Sequence, residues 1–352
     1  MLLLPCLFAI AMPAKQVGFY IGTYTSEKGS KGVYHAFLDT ETGAITEPVL
    51  AAEALAPSYL ALHPKGRYLY AVHEFTNGDV SAYEIQPDKR LKKLNTKAWQ
   101  GAGPCHLSVD PSGRNVLAAA YSGGSFACFP IGADGSLQDA TWTFKNAGKP
   151  DQKPRGHMIQ ADARGTTVYA CDLGTDELLA FGFDAKRGKL VQRPSAFLTA
   201  GSGPRHFAFG RDGTSLYVNG EMAMTLSRFA LEGGTPKEVA TTSTIPSDVD
   251  RKGQSTAEIV CHPSGKWIYV SNRGHDSIAV FKAEGKLLQI QKLDLAIPRG
   301  FDIDPSGRWL VAAGQNSKNI ASFAINSKTG KLTSTGHRAR VDQPVCVLFE
   351  RS

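Results

Sequence analysis

The 352-residue chain lacks the signals of several large functional classes. Its formal net charge of +7 comes from Lys and Arg scattered through turns, such as Lys65, Arg67, Arg114 and Lys266, with no basic run and no aromatic ladder. No nucleic-acid surface is therefore expected, and the mild positive charge is better suited to attracting small anions. The six cysteines, at 6, 105, 128, 171, 261 and 346, form no C-x-x-C pair and have no His neighbour at metal-ligand spacing. That pattern supports neither a zinc site nor a redox motif, and most of these thiols fall inside apolar strands, as inert core residues do. There is no G-x-S-x-G elbow and no phosphate-cradling loop; the Gly-rich stretches GAGP at 101–104 and GSGP at 201–204 open strands and do not lead into helices. A serine-nucleophile mechanism is not expected on that ground, no calcium-type Asp spacing stands out, and neither metal nor cofactor is expected. Beyond the N-terminus nothing approaches the length of a membrane span, and no helical linker or low-complexity tract divides the chain.

What the chain does have is one phrase written seven times: an opening Pro or Thr, a short apolar strand, a tight turn often of the form Pro-x-Gly, and a second strand. It reads PSYLALHPKGRYLYAV from Pro57, PCHLSVDPSGRNVLAA from Pro104 and PRGHMIQADARGTTVYAC from Pro154. It continues as PRHFAFGRDGTSLYVN from Pro204, TAEIVCHPSGKWIYVS from Thr256, PRGFDIDPSGRWLVAA from Pro298 and a truncated PVCVLFE from Pro344. Successive starts are 47, 50, 50, 52, 42 and 46 residues apart, with strands inside each unit, which predicts an all-β, seven-bladed β-propeller. The truncated last unit is matched by unpaired N-terminal segments, VGFYIGTYT, GVYHAFLD and GAITEPV, which would complete the final blade and close the ring. Closure removes the long open sheet edge that invites aggregation. Residues 15–352 are thus read as one propeller domain, and a monomer is the expectation.

Strand direction then sorts the unusual residues. Antiparallel neighbours reverse, so the start of each first strand and the end of each second strand share one face, while the Asp-Gly-type hairpins lie on the other. The hairpin face repeats Pro, Lys, Ser, Gly and Arg, which turn chemistry alone demands. The opposite face varies from unit to unit. First strands open with His106, Arg155 and His157, Arg205 and His206, Glu258, and Arg299; second strands end with Tyr24, His73 and Glu74, Tyr121, Asp172, Glu221, Asn272 and Arg273, and Gln315. Asp172, Asp302 and Asp304 read as turn or blade-to-blade acceptors. The others converge on the mouth of a central channel, where crowded charges need a partner or a ligand. Several Arg beside carboxylates and imidazoles fit an anionic substrate held by guanidinium forks and worked on by a carboxylate or imidazole.

Several long motifs in order also resemble a known family. They are YIGTYT at 20–25, PCHLSVDPSGR at 104–114, YSGGS at 121–125, DLGTD at 172–176, GSGPRHFAF at 201–209, YVSNRGHDSIAVF at 269–281 and PRGFDIDPSGRWL at 298–310. From Val17 to Glu350 the chain is similar to 6-phosphogluconolactonases of the seven-bladed propeller type, which are related to fungal 3-carboxymuconate lactonizing enzymes. The resemblance implies His157, Arg205, Glu221 and Arg273 as catalytic residues; Arg155, His206, Glu74, His73, Arg299 and Gln315, placed on the same face by strand direction, are expected to bind the substrate. It implies metal-free hydrolysis of 6-phospho-D-glucono-1,5-lactone, a small anionic lactone of the pentose phosphate pathway. Glu221 or His157 would activate water, and Arg205 and Arg273 would hold the phosphate or the oxyanion. The chain departs from the family at Arg155-Gly156-His157, where His-x-His is common, at Gly220, where an Asn precedes the Glu, and at His73-Glu74, where Asn-Glu is common.

Two other functions stay open on the sequence: a lactonizing cycloisomerase acting on a carboxymuconate-type dicarboxylate, and a non-catalytic propeller that binds an anion at its mouth. The start MLLLPCLFAIAMPAKQ has the apolar length of a signal h-region and small residues at Ala9, Ala11 and Ala14, without a positive n-region. Export to the periplasm or beyond is expected if residues 1–14 are a signal peptide, and a cytoplasmic location otherwise.

Overall fold

The structure is a computed structural model and describes residues 15–99, 101–148 and 150–351. The signal-peptide expectation for residues 1–14 lies outside them. The described residues form seven four-stranded antiparallel sheets and no helix, arranged as a seven-bladed propeller. Each of six blades is built from consecutive strands running from the channel outward. In blade IV these are β16 (Pro204–Phe209), β17 (Ser215–Gly220), β18 (Thr225–Glu232) and β19 (Thr235–Ser243). The other inner strands are β4 (Tyr59–Leu62), β8 (Pro104–Val109), β12 (Gly156–Ala161), β20 (Ser255–Cys261) and β24 (Pro298–Ile303), opening blades I, II, III, V and VI.

Blade VII is the composite that the truncated last repeat requires. Its inner strand β28 (Pro344–Phe349) pairs antiparallel with β1 (Gln16–Thr23), which continues through β2 (Gly32–Asp39) to β3 (Val49–Glu53). The outer strand lies later than the GAITEPV segment expected from sequence. Ile45 makes only an isolated bridge to Leu38, and Val49–Glu53 takes the edge, pairing Glu53 with Gly32.

The hairpins owe their shape to the repeated Asp and Gly. Asp110, Asp162 and Asp304 accept the backbone N–H groups of Arg114 and Asn115, of Thr166 and Thr167, and of Arg308 and Trp309. Gly113, Gly165 and Gly307 take the positive φ that closes each turn, near 70° in all three (69°, 66° and 72°). Asp302 instead accepts the N–H of Phe349 at 3.0 Å, joining blade VI to blade VII.

Between blades the sequence builds one seal repeatedly. Tyr20, Tyr70, Tyr169, Tyr217 and Tyr269, all in second strands, donate their hydroxyls to the carbonyls of Lys89, Gly135, Gly234, Ala283 and Gly330 in the outer hairpin of the next blade. The Asn115 amide on Ala185 O and Trp309 Nε1 on Thr40 O take the same place in the two remaining blades. Each donor is buried and satisfied, so the wedge of apolar side chains between neighbouring sheets carries a directional lock at its outer end. Cys128, Cys171 and Cys346 are buried free thiols in these wedges, Cys105 is a buried free thiol on β8 with its Sγ against the carbonyls of Gly156 and His157, and Cys261 is half-buried.

Candidate functional site

One backbone irregularity recurs at the channel. In blades II, III, IV and VI the register between first and second strands slips just after the first strand begins. Pro104 faces Ala120 and His106 faces Ala119, skipping Cys105; the same slip skips His157, Arg205 and Arg299. A bulge leaves the extra residue unpaired and re-aims its side chain, which explains why neighbouring Arg205 and His206 are both turned inward and buried. A second repeated device fixes the ends of the second strands. Ala56, Gly103, Gly203, Ile297 and Gln343 each precede a proline with positive φ. Their carbonyls receive the backbone N–H groups of Glu74, Tyr121, Glu221, Gln315 and Tyr24 at 2.7–3.1 Å. Ile297, β-branched at φ 58°, is strained there, as residues held beside functional sites often are.

At the centre of the mouth Glu221 lies between two guanidinium groups. Its Oε2 is 2.9 Å from Arg205 Nε and its Oε1 is 3.1 Å from Arg273 Nη2. The Arg205 Nε–H is not directed along that line and has no hydrogen-bond acceptor, nor has Arg273 Nε. Burial pulls the Glu221 pKa up, but Arg205, Arg273 and Arg299 outweigh it and hold the carboxyl below its ordinary range, so it is ionised. Burial, with Arg205 beside it, brings Arg273 down to about 10, which still leaves it a cation at neutral pH. Arg273 also donates to Thr256 O at 2.9 Å.

Beneath Arg205 runs a buried chain. Arg205 Nη1 donates to Ala257 O at 2.6 Å and lies 3.3 Å from His206 Nε2, while His206 Nδ1 is 2.8 Å from Glu258 Oε1. A guanidinium can only donate, so Nε2 carries the lone pair and Nδ1–H donates to Glu258. Burial raises the Glu258 pKa to about 7 against the pull of Arg205. The His206 ring packs against His157, His106 and Tyr59, with centroids 5.0, 5.3 and 5.5 Å away. Burial, reinforced by Arg205, drives the pKa values of His157 and His206 well below the ordinary value; for His106 the assistance comes from His206 and then Arg205. All three imidazoles are neutral. His157 Nδ1 is buried and has no hydrogen-bond partner.

Two further groups rim the mouth. Arg299 stacks over the Tyr24 ring at 5.3 Å and faces Glu74 at 3.9 Å, and Tyr24 donates to Glu74 Oε2 at 2.9 Å. Arg155 lies over Tyr121 at 5.4 Å with Nη1 3.0 Å from its hydroxyl, and the Tyr121 ring meets His157 edge-on at 5.8 Å.

Of the residues expected at the site, the structure brings together His157, Glu221, Arg205, Arg273, His206, Glu74, Arg299 and Arg155. His73 lies elsewhere: its ring is inside blade I, with Nδ1 on Leu55 O and Nε2 on Ser81 Oγ, both at 2.8 Å. Adjacent residues at a strand end point to opposite sides, so Glu74 reaches the mouth and His73 cannot. Gln315 stands half-buried at the end of β25 (Trp309–Gly314), with its backbone N–H on Ile297 O. Asp172 binds the N–H groups of Arg155, Gly174 and Thr175 and serves the turn. Tyr59, half-buried against His106 at 4.4 Å, was not singled out from sequence, although its place two residues after Pro57 matches that of His106 after Pro104. Among the described residues no group of three His, Cys, Asp or Glu is placed to hold a metal ion. A groove of about 400 Å³ on the outer rim, lined by Glu47, Lys318, Asn319 and Arg338, is remote from this chemistry; Lys318 and Arg338 are already paired with Asp342 and Asp294.

A ring of seven sheets with a cation-rich, imidazole-floored mouth is a class of protein that comparison identifies. The chain belongs to the family described as Lactonase, 7-bladed beta-propeller, which matches residues 18–349. It is 36% identical over 350 residues to the 6-phosphogluconolactonase of Bacillus subtilis (strain 168), covering 95% of this chain and 98% of that one. It is 32% identical to the 6-phosphogluconolactonase of Formosa agariphila, covering 89% and 94%. Among solved structures, the periplasmic gluconolactonase of Pseudomonas aeruginosa superposes with a TM-score of 0.89 at 26% identity, covering 96% of this chain and 99% of that one.

Proposed function

We propose that the mouth hydrolyses a sugar 1,5-lactone, with 6-phospho-D-glucono-1,5-lactone, the substrate class named for the Bacillus and Formosa relatives, as its substrate. The observation that carries this reading is that three buried nitrogens of one cluster, His157 Nδ1, Arg205 Nε and Arg273 Nε, make no hydrogen bond, although Arg205 Nε stands 2.9 Å from the Glu221 carboxylate. Buried polar groups left unpaired are costly, and a lactone with its attacking water supplies an acceptor for the two N–H groups and a proton donor for the imidazole.

In this mechanism His157, neutral because it is buried beside cations, takes a proton from water as the oxygen attacks C1. Charge develops on the carbonyl oxygen, which Arg205 and Arg273 stabilise. The tetrahedral species then breaks its bond from C1 to the ring oxygen, and the imidazolium returns the proton to that oxygen, so one water is added. Glu221, held ionised by both guanidiniums, is a weak base and serves to orient them. The Arg205–His206–Glu258 chain holds the same fork from below.

The test is hydrolysis of freshly generated lactone, corrected for spontaneous opening, by the wild type and by His157→Asn, Glu221→Gln and Arg273→Ala. The wild type should outpace buffer, and His157→Asn should lose about 10² to 10⁴ in kcat, as removal of a general base does. A wild type no faster than buffer would sink the lactonase reading; full kcat in His157→Asn would move the base elsewhere.

A further inference from the structure

We infer that Arg155, seated on Tyr121, is the phosphate-binding arm of the site and sets its preference for phosphorylated over neutral lactones. The inference rests on the lactonase reading above. Three of the four arginines at the mouth already have a carboxylate within 4 Å: Arg205 and Arg273 share Glu221, and Arg299 faces Glu74. Arg155 has none. Its fork meets only the neutral hydroxyl and ring face of Tyr121, and it is exposed. Formally, four guanidiniums against the carboxylates of Glu74 and Glu221, with Glu258 below them partly ionised near neutral pH, leave between one and two positive charges at the mouth, which suits a phosphate monoester of about −1.5 to −2.

The placement suits a substrate that reaches both ends. From the Arg155 guanidinium to the Tyr121 ring is 5.4 Å, and from that ring to the His157 imidazole 5.8 Å. A six-carbon lactone with its carbonyl at His157 extends its far carbon, and the phosphate on it, toward Arg155. The backbone beneath is fixed on both sides: Arg155 N–H donates to Asp172 Oδ1 at 2.8 Å and its carbonyl accepts from Leu173 N–H at 2.9 Å. Tyr121 holds the guanidinium plane by hydroxyl and ring face, leaving its remaining N–H groups for the two-point contact that phosphate oxygens favour. Arg155 itself touches no reacting atom and acts by binding the remote end of the substrate.

The decisive quantity is the ratio of kcat/KM for 6-phosphogluconolactone to that for glucono-1,5-lactone, measured in the wild type, Arg155→Ala, Arg155→Lys and Tyr121→Phe. Arg155→Ala should lower the ratio about ten- to hundredfold, mainly through KM for the phosphorylated lactone, as loss of a charge-assisted fork does. Arg155→Lys should recover part of it, and Tyr121→Phe should fall between. An unchanged ratio, with both substrates slowed alike or neither slowed, overturns the assignment. A calorimetric titration of wild type and Arg155→Ala with 6-phosphogluconate and with gluconate separates the two claims. If neither lactone is hydrolysed but 6-phosphogluconate binds at least tenfold more weakly to Arg155→Ala, the lactonase reading fails and the phosphate arm stands. Equal binding of 6-phosphogluconate by the two proteins removes the arm whatever the activity.

Discussion

Acid should destabilise this protein through its buried imidazoles, and His106 allows one of them to be isolated. His106 is 2% exposed, and burial pushes its pKa well below the ordinary 6.5, with His206 and Arg205 adding to the effect. Below pH 6.5 the unfolded chain therefore takes up a proton at this position that the folded chain refuses. A depressed folded pKa in a base means more protons bound on unfolding, so stability falls as pH falls, at ~1.4 kcal/mol per unit for each such imidazole. Between pH 7 and 5.5 one imidazole accounts for about 1 kcal/mol. His106→Asn removes the titration, and its side-chain oxygen can still accept the Ile159 N–H that now meets Nδ1 at 3.4 Å. The variant should be less stable than the wild type at pH 7, having lost the ring, with the gap narrowing by about 1 kcal/mol at pH 5.5. Urea unfolding followed by tryptophan fluorescence at several pH values between 5.5 and 7 measures the gap. A gap constant across that range would mean that His106 gains its proton in the folded state, and the account of a neutral imidazole floor would be wrong.

The opposite sign applies to Glu258, whose pKa burial raises from 4.5 to about 7. Its folded form keeps a proton that the unfolded form releases, so the advantage of wild type over Glu258→Gln should shrink by ~1.4 kcal/mol per unit as pH rises from 4.5 to about 7; parallel urea curves would refute it. At Gly300 on β24 an added Cβ would stand 2.3 Å from Val345 O on the neighbouring inner strand. Gly300→Ala should cost about 1–3 kcal/mol and disturb adjacent Arg299, and an unchanged thermal midpoint would show that the strand can yield.

The blades were legible because turn chemistry is local: Asp110-Pro111-Ser112-Gly113-Arg114 announces its hairpin wherever it stands. The face on which the unusual residues gather was legible because strand direction follows from hairpin count. Which side chains enter the channel was not. Strict alternation cannot turn both Arg205 and His206 inward, and the bulge that does so leaves no mark in composition. His73 and Glu74 show the same limit, since either of two adjacent strand-end residues could have faced the mouth until the Ser81 and Leu55 partners fixed His73 inside the sheet. The roles of Tyr59 and Glu258 depend on packing between blades I, II, IV and V, which no stretch of sequence records.

Blade VII places the first-made and last-made strands of the described chain side by side, and this imposes an order in time. Tyr24, at the end of β1, anchors Arg299 and Glu74, yet its own backbone N–H is held by Gln343 O, immediately before β28. While the chain is being synthesised, six blades can form behind the growing end, but the mouth stays unfinished and β1 keeps a bare edge until Pro344–Phe349 emerges. A chain cut before β28 would thus carry nearly every mouth residue without the contacts that assemble them, so the geometry of the candidate site depends on a strand that contributes no side chain to its chemistry.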